Sequence, residues 1–178
     1  MSRAFQVHWD ILPEAQRRLW PKLRPTVQLG LVLYGGTAIA LRLGHRSSVA
    51  FDFFTDQALD RIAIHTACPF LDRSPVLQDQ PDTLTVVVPC GDSCDFPVKV
   101  SFFGAIGFGR VGEPELTDDQ VLQVASPDDL MAAKLKVVQG FEGGPNSHVV
   151  GTSPRTMKVD TFMATSDRLN AFLSEAPS

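Results

Sequence analysis

Tyr34-Gly35-Gly36-Thr37 is followed by Arg46, Ser48 and Asp52, and these residue types in this order can hold a triphosphate. A glycine pair leaving a buried strand lets the backbone come close to anionic oxygens, because no Cβ stands in the way and the amides can point at them. A guanidinium beside such a turn can clamp a terminal phosphate through two parallel hydrogen bonds. A carboxylate on the following strand can face the same phosphate and hold Mg²⁺, which takes oxygen ligands in near-octahedral geometry and shares them with substrate phosphates. Transfer of a nucleoside monophosphate needs the α-phosphorus in line with an acceptor oxygen, so the protein supplies mainly positioning and charge neutralisation.

The elements that position these groups follow from local pattern. Gln28 to Tyr34 is an apolar run ending in glycines and reads as a buried strand; Thr37 to Leu43 reads as a helix closed by Gly44, and Val49 to Phe54 as a second strand. Upstream, Ile11, Leu12, Ala15, Leu19 and Leu23 recur at helical spacing from a capping Asp10, with Pro13 in the first turn and Pro21 bending or ending the helix. Arg61 to Ala67 reads as a short helix. Pro75 to Gln80, Thr83 to Val88 and Pro97 to Phe103 read as successive antiparallel strands separated by Pro-Asp and Gly-Asp turns. Ser126-Pro127-Asp128-Asp129 has the cap, first-turn proline and acidic start of a helix running to Val138. Residues 141–165 lack an apolar period and read as loop, with one last helix over Ser166 to Ala176. The expected organisation is a core over 1–140 and an atypical tail over 141–178.

The run Gly35-Gly36-Thr37-Ala38, Leu41-Arg42-Leu43-Gly44-His45-Arg46 and Ser48-Val49-Ala50-Phe51-Asp52-Phe53-Phe54 resembles the first motif of the AbiEii/AbiGii-type toxin nucleotidyltransferases, within the DNA polymerase β-like superfamily. The resemblance covers roughly residues 28 to 138. It implies an α/β (α+β) fold with a small, mixed, mostly antiparallel sheet flanked by helices. It also implies transfer of NMP from an NTP to an RNA, such as tRNA, or to a protein hydroxyl, with Mg²⁺ and with an antitoxin protein as partner. Asp52 is then the metal ligand, and Gly35, Gly36, Thr37, Arg46, Ser48, Lys99 and Lys134 the nucleotide contacts, Lys134 being catalytic with Asp52. Asp129 and Lys134 reproduce a helical Asp-x-x-x-x-Lys motif, although a spacing of five leaves Asp129 to serve the helix N-terminus.

Two departures bear on activity. Ala50 stands where the family has the first Asp of its Asp-x-Asp pair, and alternation puts residues 50 and 52 on one face of the strand. Ser101, in Lys99-Val100-Ser101, stands where a third carboxylate is often found. A single weakly held Mg²⁺ is therefore expected, and the alternative is a catalytically inactive homologue that binds nucleotide or a partner. The charged continuation of the last core helix is also missing, so dimerisation through the tail is expected to cover that helix.

The remaining features have bland readings. A chain of 178 residues, 44% hydrophobic and 20% charged, can bury one ordinary core, and its net charge of −4 argues against sequence-independent nucleic-acid binding. Arg17, Arg18, Lys22 and Arg24 read as a solvated helix end. Met1 to Phe5 does not open a signal peptide and no apolar run is of spanning length, so a cytoplasmic protein without membrane contact is expected. The three cysteines read as free thiols, since Cys90 and Cys94 lack partners for zinc. Arg46 has an ion pair with Asp52 or Asp56 as its competing role, His45 reads as structural, and Phe51, Phe53, Phe54, Phe102 and Phe103 read as core.

Overall fold

The computed structural model describes residues 5–91, 96–107 and 109–140, with side chains as far as 133. Helices are α1 (Glu14–Leu19), α2 (Pro25–Gln28), α3 (Gly35–Leu43), α4 (Arg61–Ala67) and α5 (Pro127–Gly140). Strands are β1 (Val32–Tyr34), β2 (Ala50–Phe54), β3 (Val76–Gln80), β4 (Thr83–Val88), β5 (Val98–Phe103), β6 (Glu115–Leu116) and β7 (Gln123–Val124). The strands form one seven-stranded sheet in the order β3-β4-β5-β2-β1-β7-β6. β1–β2, β3–β4, β4–β5 and β6–β7 pair antiparallel, whereas β2–β5 and β1–β7 pair parallel. The mixed, mostly antiparallel α/β fold is as expected.

Register divides the sheet into two faces of different chemistry. Phe51, Phe53, Val100, Phe102, Leu84 and Val86 share one face and are fully or almost fully buried. Phe53 stacks on Phe102 at 5.6 Å between centroids, and Trp20 closes on Phe51 at 6.1 Å. The other face carries Tyr34, Asp52, Ser101 and Thr85 in one row across β1, β2, β5 and β4, with Ala50 opposite Lys99 in the next row. Phe54 stacks on Phe103 at 4.8 Å on this second face. The five phenylalanines are thus two sets, one forming the apolar core and one walling the polar row.

Local chemistry explains where the elements differ from the sequence reading. The helix expected from Asp10 to Leu23 is broken: a 3₁₀ turn at Trp9–Ile11, α1 with Pro13 as its N-cap, and a second 3₁₀ turn at Trp20–Leu23 containing Pro21. Each proline lacks a donor and clashes with the preceding turn, so continuous α-helix cannot run through it. The first strand shortens to three residues because α2 takes Gln28 and Gly30 turns at φ +67°. Gly44 ends α3 as expected, at φ +61° with its N–H donating to Ala40 O at 2.8 Å. A Cβ there would also lie 2.7 Å from the His8 ring. Asp60 caps α4 by accepting from the Ala63 N–H at 2.9 Å.

Met1–Lys134 forms one compact unit. The expected loop and last helix after residue 140 lie outside the described residues. Cys68 is a free, buried thiol, with burial pushing it up to about 11, whereas Cys90 is disulfide-bonded, which corrects the free-thiol expectation for that residue. Among the described residues no helix is long and apolar enough to cross a membrane.

Candidate functional site

The glycine turn forms at the junction of β1 and α3. Gly35 has φ +76°, a conformation in which any L side chain would press on the following carbonyl. Tyr34, the N-cap, gives no side-chain cap, so the first-turn amides of α3 have neither an intrahelical acceptor nor a capping oxygen from the N-cap residue. Such uncapped amides, with the positive end of the helix dipole behind them, favour an anion. Gly35→Ala is expected to cost about 1 kcal/mol from this strain, net of the entropy removed from the unfolded chain. Melting should drop by roughly 2–4 °C; an unchanged melting temperature would show that the turn does not require its left-handed residue.

Gly44 stops α3, and the chain then doubles back so that residues 45–49 pass the glycine turn on their way into β2. A Cβ on Gly36 would stand 2.9 Å from Arg46 Nη2 and 3.5 Å from Ser48 Oγ. The guanidinium tip therefore lies directly against the Gly36 backbone. Thr37 Oγ1 lies 2.7 Å from Ser48 Oγ and hydrogen-bonds the Ala50 carbonyl, stitching the first turn of α3 to the start of β2. Arg46 is exposed, and among the described residues it forms no ion pair with Asp52 or Asp56. Gly36, Thr37, Arg46 and Ser48 are brought together as the sequence spacing suggested.

Asp52 sits on the polar face of β2, beside Tyr34 on β1 and Ser101 on β5, and is 7% exposed. Burial pushes its carboxyl above the usual carboxylate range, and the Lys99 ammonium and Ser101 hydroxyl pull it partly back. Lys99, itself 3% exposed, is pushed below the usual lysine range by burial and held up by Asp52. Asp52 Oδ1 and Thr85 Oγ1 are buried without a hydrogen-bond partner among the described residues, which marks this row as a place for water or an ion. The unfolded carboxyl titrates near 3.8 and the folded one higher, so across that window the unfolded state holds fewer protons. Asp52 therefore subtracts stability as pH rises through it. The melting temperature of Asp52→Asn minus that of wild type should grow between acid and neutral pH, and a constant difference would contradict the burial effect.

The Asp52 donor set can be tested for metal. Its orphaned Oδ1 suits one hard cation that also draws oxygens from a triphosphate. Ala50 and Ser101 remove the other two carboxylates, and no group of three or more His, Cys, Asp or Glu that could hold a metal occurs among the described residues. The residues fit one weakly held Mg²⁺ and do not fit a two-ion centre.

Other parts of the site were not legible in the sequence. Tyr34 and Phe54, beside Asp52 on its face, line a pocket of about 290 Å³ with Asp56 and Arg110. The Arg110 guanidinium donates to the Tyr34 hydroxyl; burial, then the Asp129 charge, push the Tyr34 pKa up against the opposing pull of Arg110. Asp129 accepts from the N–H groups of Val111 at 2.7 Å and Gly112 at 3.3 Å and from Ser126 Oγ at 2.9 Å. It thus fixes the start of α5 and the loop that carries Arg110, in keeping with service at the helix N-terminus. Arg42 spans α3 to the segment before α5, pairing with Glu115 at 2.7 Å and donating to Ala125 O at 2.7 Å. Lys134 lies on α5, its side chain outside the described residues.

Residues 23–155 match the family model described as Nucleotidyl transferase AbiEii toxin, Type IV TA system. The chain belongs to that family of nucleotidyltransferase toxins. It is 31% identical over 118 residues to an uncharacterised protein, aq_aa25, of Aquifex aeolicus (strain VF5), covering 63% of this chain and 53% of that protein. The chain thus spans about half the length of that relative. The fold also resembles the crystal structure of a candidate nucleotidyltransferase from H. pylori, with a TM-score of 0.53 at 16% identity, over 75% of this chain and 60% of that one.

Proposed function

We propose that this chain receives a nucleoside triphosphate at the Gly35–Gly36 turn and acts as a toxin-type nucleotidyltransferase whose transfer of NMP to an RNA or protein acceptor is impaired by Ala50. The observation that carries this reading is the seating of the Arg46 guanidinium against Gly36, beside uncapped first-turn amides and within one β-strand of the buried Asp52. In this reading the turn amides and Arg46 grip the outer phosphates, and Thr37 and Ser48 hold the turn against β2. Lys99 faces the charge on the α-phosphate, and Asp52 faces the reacting phosphoryl group. A magnesium ion on Asp52 would add charge neutralisation there. Lys134 is retained as a phosphate contact from its motif alone.

Family membership makes an antitoxin protein the proposed partner. Self-association through residues 141–178 and a cytoplasmic location are further proposals, resting on the sequence. The second reading, an inactive nucleotide-binding homologue, is favoured by one observation: among the described residues Asp52 is the sole carboxylate in its row and the next. Binding is common to both readings and is tested by melting. ATP or GTP at millimolar concentration with Mg²⁺ should raise the melting temperature, as a ligand selective for the native state must. No shift with any of the four ribonucleoside triphosphates would remove the nucleotide site.

A further inference from the structure

In a site built on two or three carboxylates, an anionic triphosphate is repelled by the protein's own charges, and divalent cations between them are what make binding favourable. The charge inventory here is different. In the two rows of the polar face, Tyr34, Ser101 and Thr85 are neutral beside Asp52, while Lys99 lies between the neutral Ala50 and Val87. Register places Lys99 directly opposite residue 50, where a carboxylate would have engaged it. Among the described residues its charged neighbour is instead Asp52. Arg46, over Gly36, is tied up by no described carboxylate.

At the glycine turn and on these two rows the charged groups are Asp52, Lys99 and Arg46, one negative and two positive, while Asp56, Asp129 and Arg110 surround the adjoining Tyr34 pocket, so the phosphates at the turn meet more positive than negative charge before any metal is bound. The buried position of Lys99 increases the effect, because charge interactions weaken less there than at a solvated surface. Substitution at position 50 has removed a metal ligand and the chief source of repulsion together. We infer that the glycine-turn site binds nucleoside triphosphate without a divalent cation, Lys99 and Arg46 supplying the positive charge that metal ions supply in a carboxylate-rich site.

This inference rests on the nucleotide-site reading, and the experiment separates the two. ATP and GTP are titrated into the full chain by calorimetry, in excess EDTA and in millimolar Mg²⁺. The expected result is a dissociation constant in EDTA within about threefold of that in Mg²⁺, since the cation contributes less than about 1 kcal/mol. Ala50→Asp, at a half-buried position, should weaken EDTA binding at least about tenfold and restore a clear Mg²⁺ requirement, through a like charge placed near the phosphates. Lys99→Met should weaken binding equally in both buffers, its fold checked by the melting temperature without nucleotide. Binding by wild type in Mg²⁺ but not in EDTA would overturn the inference and leave the nucleotide site standing. Absence of binding in both buffers would overturn both. An Ala50→Asp variant as tolerant of EDTA as wild type would show that residue 50 does not set the metal requirement.

Discussion

Ala50→Asp is expected to increase labelling of RNA from an α-³²P-labelled NTP by at least about tenfold in the presence of Mg²⁺. Loss of a metal ligand or of its orientation costs ten- to a hundredfold as a rule, and replacing the ligand should recover that range. The geometry favours recovery. Residue 50 points to the same face as Asp52, its carbonyl is anchored by Thr37, and Lys99 stands opposite to orient a new carboxylate. The position is half-buried, so the longer side chain has room toward solvent. A variant no more active than wild type would show that the impairment lies elsewhere, for instance in Ser101, or that Asp56 already supplies a ligand. The same substitution is expected to weaken binding in EDTA at least about tenfold, so one residue should exchange metal-free retention of nucleotide for metal-dependent chemistry.

Arg46→Ala should weaken NTP binding by at least about tenfold and remove most of the thermal shift, while the protein without nucleotide melts within about 1–2 °C of wild type. Arg46 is exposed and has no partner carboxylate among the described residues, so its removal leaves nothing buried and unpaired. A charge-assisted hydrogen bond to phosphate is worth about 1.5–3 kcal/mol, enough for that loss. Arg46→Lys should restore only part of it, because an ammonium cannot make the bidentate contact. Titration calorimetry of the three proteins checks the order. Equal affinity in all three would assign Arg46 to the turn's architecture and not to the ligand.

Much of this site was written in short-range sequence, because the glycine turn, the helix stop at Gly44 and the alternation along β2 are set by neighbours in the chain. Gly35 needs φ +76°, Gly36 lies against the Arg46 guanidinium, and all three residues lie within the run that was readable. What sequence could not supply is what distant residues do to one another. The pairing of Arg42 with Glu115, the clasp of Asp129 on Val111 and Gly112, and the hydrogen bond of Tyr34 to Arg110 each join segments far apart in the chain. β6 and β7 have two residues each, too few for a period to register. The five phenylalanines read as one cluster because composition cannot tell which face of a strand a residue occupies until register is known. Position 50 illustrates the same limit: its identity showed a missing ligand, but only the pairing of Ala50 with Lys99 showed what the substitution does to the charge of the cleft.

The most direct test is a crystal structure of the full chain soaked or grown with a non-hydrolysable NTP analogue. Phosphate oxygens should lie within hydrogen-bond distance of the Arg46 guanidinium and the Gly36 amide, with the α-phosphate turned toward Asp52 and Lys99. A nucleotide bound with its phosphates elsewhere, for instance against Arg110 in the Tyr34 pocket, would contradict the assignment of the glycine turn as the triphosphate site.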